Sequence, residues 1–171
     1  MNYFDFYDLE ESFFINEKSL KKFYLEKSRE YHPDFHSLKD EKEKEHAIKM
    51  SALNNQAYET LKSFDKRVEY ILQQNQILGK EGENKVPSEF LMEMMELNEA
   101  LMELKFDPDQ DKLNSVKSEV ESFKQKIYQE VEQDMMKYVK DAEQSEASLD
   151  KIKDYYLKNK YLKRLEEQLN A

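Results

Sequence analysis

His32, Asp34 and His36 stand at alternate positions of one short stretch, HPDFH, with His46 further along the chain. Two imidazoles and a carboxylate within five residues could ligate a metal ion or exchange protons with a substrate. Either chemistry also needs a shaped cavity and a further positioned acid, base or nucleophile. The sequence offers none of these: it has no cysteine, and its two glycines frame no G-x-S-x-G turn that would expose a serine. The absence of cysteine also excludes disulfides and thiolate ligation of zinc or of an iron–sulfur cluster. The other chemistry open to the stretch is a contact. Pro33 limits the backbone, so little entropy is lost on docking, and the Asp34 carboxylate can receive a bidentate arginine from a partner. His32 then shapes the loop. The residues favour a docking motif over an enzyme, with no metal and no cofactor, and leave a metal-dependent enzyme built on HPDFH as the alternative.

The elements that must position this motif are helices. With only two Gly and three Pro in 171 residues, most of the chain lacks turn formers and helix breakers. Leu20, Phe23, Tyr24, Lys27 and Tyr31 recur at helical spacing behind Asn16, a candidate N-cap. That helix must end near Tyr31, because proline disfavours the helical conformation of the residue before it, here His32. HPDFHSLKD therefore reads as a loop. Asp40 and Glu43 have capping-box spacing, and Ala47, Met50, Leu53, Ala57, Tyr58 and Leu61 give the next helix a buried face. A short helix near Phe4 to Leu9 precedes this pair, and one with Val68, Ile71 and Leu72 follows it behind Ser63. Gly79, Gly82 and Pro87 mark residues 75–87 as a linker.

Residues 88–171 read as a three-helix bundle. Ser88 is the expected cap of a helix running to about Phe106, and Asp107-Pro108 of the next, which carries Leu113, Val116, Val120, Phe123, Ile127 and Val131. QSEAS at 144–148 breaks the pattern before a last helix with Ile152, Tyr155, Leu162, Leu165 and Leu169. In the first helix of the three, Phe90, Met94, Leu97, Leu101 and Leu104 form one core seam. Leu91, Met95 and Met102 lie roughly 100 to 140° away from it, and Met92 further still. These apolar residues exceed what one core face needs. Two helices covering this one could bury them all; flexible methionines edged by Glu96, Glu99 and Glu103 also suit an adaptable binding surface.

Charge narrows the partners. There are 27 basic and 37 acidic residues, a net −10, which argues against a nucleic-acid backbone. With 39% hydrophobic residues the chain can still bury a modest core, so disorder is not expected. No run approaches eighteen apolar residues and MNYFDFYDLE is no signal peptide, so the expectation is a soluble, cytoplasmic protein with no membrane partner. Against this acidic background, Lys18, Lys21, Lys22, Lys27 and Arg29 crowd the helix that leads into the motif.

The order helix–HPD–helix, Tyr31 ahead of the motif, Asn54-Asn55-Gln56-Ala57-Tyr58 in the third helix and Lys66-Arg67-Val68-Glu69-Tyr70 in the fourth resemble a J domain over residues 1–74. A J domain followed by a short linker and an acidic bundle containing FLMEMMELNEAL is similar to HscB, the co-chaperone of iron–sulfur assembly. There is no Gly/Phe-rich region or cysteine-rich zinc module as in the general DnaJ architecture, and Phe35 stands after the motif where a basic residue is common. The resemblance implies an all-α fold, with a J domain and a C-terminal three-helix client-binding bundle. It implies that His32, Pro33, Asp34, Lys21, Lys22, Lys27 and Arg29 dock on a DnaK-type (HscA-like) chaperone and stimulate its ATP hydrolysis. It further implies that Leu91, Met92, Met95, Glu96, Glu99, Glu103 and Tyr161 hold an iron–sulfur scaffold protein (IscU-like). A J-domain adaptor with a different client is the nearest alternative.

Overall fold

The computed structural model describes residues 1–80 and 82–171, and among these the chain is all-α, with nine helices and no strand. It divides into two compact units, Met1–Asn75 and Gln76–Ala171. No helix among the described residues is long and apolar enough to cross a membrane. The 75–87 stretch has no helix among its described residues, and its Glu81 lies outside them.

In the first unit, α1 (Tyr3–Phe6), α2 (Glu17–Glu30), α3 (Pro33–His36), α4 (Glu41–Leu61) and α5 (Phe64–Gln74) gather around α4. The caps follow the residue types. Asn16 Oδ1 accepts the Ser19 N–H at 2.9 Å and Asp40 Oδ1 the Glu43 N–H at 2.8 Å, each satisfying an otherwise orphan first-turn donor. Tyr24 stacks on Tyr58 with ring centres 4.2 Å apart while Tyr31 meets His46, so α2 and α4 run antiparallel. The core between them and the flanking helices is Phe4, Phe13, Leu20, Ala57, Leu61, Ile71 and Leu72, all buried. Each large apolar side chain there contributes about 1.5–3 kcal/mol.

The second unit holds α6 (Ser88–Glu93), α7 (Met95–Phe106), α8 (Gln110–Lys137) and α9 (Ser145–Asn170). α8 and α9 pair along their length, with α7 against α8. Val116, Val120, Ile127, Val131 and Met135 of α8 and Leu149, Ile152, Tyr155, Leu162, Leu165 and Leu169 of α9 are buried, together with Phe90, Met94, Leu97 and Leu101.

Several boundaries differ from the sequence reading, each for a local reason. HPDFHSLKD is not all loop, because Pro33, with its φ already helical, starts the single turn α3. Ser88 is the first residue of α6, and the cap position falls on Pro87. The helix expected from Ser88 to Phe106 is interrupted at Met94 (φ −80°, ψ −8°), whose carbonyl accepts both the Asn98 backbone N–H and the Asn98 side-chain amide, each at 2.9 Å. A side chain entering the ladder in this way bends a helix. The cap of α8 is Asp109, whose carboxylate accepts from the N–H groups of Asp111 and Lys112, and Pro108 stays outside the helix. Finally, the break before the last helix lies at 138–144, so Ser145 to Ser148 already belong to α9.

Candidate functional site

The motif is built as a capped turn. His32 keeps the extended backbone that proline demands of its predecessor (φ −66°, ψ 132°), and its Nδ1 accepts the Asp34 N–H at 3.3 Å. The imidazole thus acts as the cap of α3. The Asp34 carboxylate is left pointing outward: its side chain is 88% exposed, with Oδ2 3.7 Å from His32 Nδ1. His36 turns the other way. Its Nε2 lies 2.8 Å from the Glu30 carbonyl, which can only accept, so the ring carries hydrogen there and ties the turn to the end of α2. His46 packs edge-on against Tyr31. The three histidines therefore face different partners, and among the described residues no group of three His, Asp or Glu is placed to hold a metal ion.

The basic face divides. Lys21, Lys22 and Arg29 are exposed on α2, with Lys22 3.8 Å from Glu26. By helical rotation Lys22 and Arg29 lie within about 20° of each other and about 100° from Lys21, whereas Lys27 falls about 120° or more from all three. Its ammonium sits over the Phe6 and Tyr31 rings, 5.6 and 5.7 Å from their centres, and 3.2 Å from Glu30. Partial burial pulls its pKa down, but the Glu30 hydrogen bond and the neighbouring Tyr31, Glu30 and Asp8 outweigh that and the net shift is upward. Lys27 thus braces α2 rather than sharing the face of the other three.

Two buried polar groups hold the hairpin that presents the motif. Asn54 donates to the Tyr24 carbonyl at 3.1 Å and to Ser28 Oγ at 3.0 Å, and its Oδ1 accepts the Tyr7 hydroxyl at 2.6 Å. Burial, with Tyr24 and Tyr58 nearby, raises the Tyr7 pKa and keeps it a donor. Arg67 donates from Nε to the Phe13 carbonyl at 2.9 Å and from Nη1 to the Leu61 carbonyl at the end of α4, with its guanidinium over Phe64. Desolvation lowers its pKa without removing its charge. The sequence reading gave neither residue a role of its own, although Met50, Asn54, Ala57 and Leu61 share one helical face and a polar residue within it signals a buried hydrogen-bond hub.

In the second unit, Leu91, Met92 and Met95 are 41%, 69% and 57% exposed, while Phe90, Met94 and Leu97 are buried. The surplus apolar residues are on the surface. Glu96 and Glu99 stand exposed beside them, and Glu103 is ion-paired with Lys112 of α8. Tyr161 of α9 joins this face: its hydroxyl accepts from Asn98 Nδ2 at 2.7 Å and its ring meets Phe90 edge-on at 5.7 Å. Asn98 thereby links the bend at Met94 to Tyr161, a role not read from sequence.

Comparison with known proteins agrees with this architecture. Residues 86–170 match the family model of the HSCB C-terminal oligomerisation domain. The co-chaperone protein HscB homolog of Colwellia psychrerythraea is 33% identical over 99% of this chain and 98% of its own length. The chain belongs to the HscB co-chaperone family. The co-chaperone protein HscB of Proteus mirabilis is 35% identical over 66% of each chain. Among solved HscB structures, the human protein superposes with a TM-score of 0.78 at 26% identity, covering 99% of this chain and 81% of the other. The Vibrio cholerae HscB gives 0.65 at 25% identity, covering 99% of both.

Proposed function

We propose that this HscB-family chain is a two-sided adaptor. Through the motif turn it docks on a DnaK-type, HscA-like chaperone and stimulates that chaperone's ATP hydrolysis. Through the α6–α7 patch it holds an IscU-like iron–sulfur scaffold protein and delivers it to the chaperone. The chain carries no reaction of its own; the active site is the chaperone's.

The observation that carries this reading is the presentation of Asp34. A carboxylate 88% exposed, on a proline-started turn capped by His32 and tied down by His36, is fixed in place yet has most of its acceptor capacity open. That is what bidentate recognition by a partner's arginine needs, with little ordering cost on binding. Exposed Lys21, Lys22 and Arg29 on the preceding helix suit an acidic partner surface, so encounter is steered by charge. On the other unit, an exposed Leu/Met patch with a carboxylate edge supports a separate client contact, apolar at its centre and basic at its rim.

The experiment is affinity capture with the full chain as bait, followed by identification of the bound proteins. Recovery of an iron–sulfur scaffold and a DnaK-type chaperone is the expected result. Recovery of the chaperone with a different client overturns the scaffold assignment, and recovery of neither overturns the adaptor reading.

A further inference from the structure

The exposed apolar row does not stop at Met95. Met102 is 60% exposed and Phe106 87% exposed. Met95, Met102 and Phe106 are separated by seven and four residues of one continuous helix, which places them within about 40° of one another around its axis. Leu91 continues the row across the Met94 bend, because the ladder bonds on either side of it (Met94 N–H to Phe90, Asn98 N–H to Met94) are kept. The row from Leu91 to Phe106 is therefore about 22 Å long at 1.5 Å per residue. Glu99 interrupts it between Met95 and Met102, which stand about 10 Å apart along the axis.

The far end of this row is a closed helical turn. The Asp107 N–H donates to the Glu103 carbonyl at 2.8 Å, closing the last turn of α7. Pro108 follows outside the helix, and the Glu103 carboxylate is ion-paired with Lys112 of α8. Phe106 thus sits in the last hydrogen-bonded turn of α7, where a partner would gain aromatic area on backbone that is already helical. A single exposed Phe or Met is unremarkable on a protein surface, but four apolar residues in line along α6 and α7, interrupted at Glu99, make a row of the kind that marks an interaction site.

We propose that Met102 and Phe106 are a second apolar anchor of the client contact, so that the iron–sulfur scaffold is held along the whole of α7. The inference rests on the client reading of Leu91, Met92 and Met95, and deepens it. It also specifies the chemistry of the client face: two apolar strips about 10 Å apart, with a basic residue between them opposite Glu99. Continuity with the Leu91–Met95 patch points to the same occupant.

The test is calorimetric titration of the purified scaffold protein into the full chain, comparing wild type, Met102→Ala/Phe106→Ala and Leu91→Ala/Met92→Ala/Met95→Ala. An anchor role predicts that the Met102/Phe106 variant binds at least about fivefold more weakly while melting like wild type. Binding within twofold of wild type by that variant, with binding lost in the other, overturns the second anchor and leaves the client patch standing. Wild-type affinity in both variants overturns the anchor together with the patch. Hydrogen exchange on the unsubstituted chain supplies a readout independent of variant folding. The inference requires that scaffold binding slow exchange at residues 99–107 as well as near Met95; protection confined to the Leu91–Met95 end contradicts it.

Discussion

Replacing Leu91, Met92 and Met95 together with alanine separates the client-contact reading of the α6–α7 patch from simple packing. The three residues are 41%, 69% and 57% exposed, so only a minor part of their combined apolar area is removed from water by the fold. Taking about 1.5–3 kcal/mol for complete burial of such a side chain, the fraction buried here, less what alanine itself retains, amounts to about 1–3 kcal/mol for all three. Alanine's helix propensity offsets a few tenths of that. Had the neighbouring helices covered them, each truncation would cost about 2–5 kcal/mol, enough in sum to unfold a unit of this size. The expected fall in melting temperature is therefore about 5–20 °C, with the cooperative transition retained. The assay pairs thermal unfolding with calorimetry of scaffold binding. A folded triple variant that no longer binds the scaffold but still stimulates the chaperone's basal ATPase is the expected outcome. A folded triple variant with wild-type affinity refutes the reasoning, as does a variant that fails to fold.

Chaperone docking should weaken as salt rises, since screening shortens to about 10 Å at 0.1 M and about 3 Å at 1 M. Lys21→Ala/Lys22→Ala/Arg29→Ala should remove most of that dependence, and an affinity unchanged from low to moderate salt counts against a charge-steered contact. Lys27→Ala should act differently, lowering the melting temperature by loss of its contacts with Phe6, Tyr31 and Glu30 and changing the salt slope little. Arg67→Leu strips the donors from the buried Phe13 and Leu61 carbonyls and should cost about 2–5 kcal/mol in denaturant titration. A loss below about 1 kcal/mol would show that those carbonyls find other partners.

The sequence disclosed most where one local rule governs. Helical spacing, the Asn16 and Asp40 caps and the effect of Pro33 on His32 act within a few residues, so α4 and α2, which ends ahead of His32, stand as read, whereas the single turn α3 was read as loop. The surplus of Leu91, Met92 and Met95 over one core seam was legible as well, but their exposure was not, because two neighbouring helices could have covered them. What escaped depends on groups distant in sequence or on competition between near-equal local choices. Asp107 and Asp109 are both good caps, and the second prevails. Lys27 shares the spacing of the α2 core stripe and Lys22 does not, but what Lys27 meets was not legible, because Phe6, a residue of α1, comes beneath its ammonium. The bend at Met94 needs Asn98, which is fixed in turn by Tyr161 sixty-three residues later. His36 would be read with the motif, yet the Glu30 carbonyl claims its Nε2.

If the motif turn activates a chaperone by presenting Asp34, the steady-state ATPase rate of a DnaK-type chaperone reads it out with wild-type chain, His32→Gln or Asp34→Asn. Asp34 is almost fully exposed, so its substitution leaves the fold intact, and calorimetry with the scaffold shows whether the patch on the other unit still works. Both variants should lose stimulation with scaffold binding unchanged. Stimulation within twofold of wild type in both would contradict it.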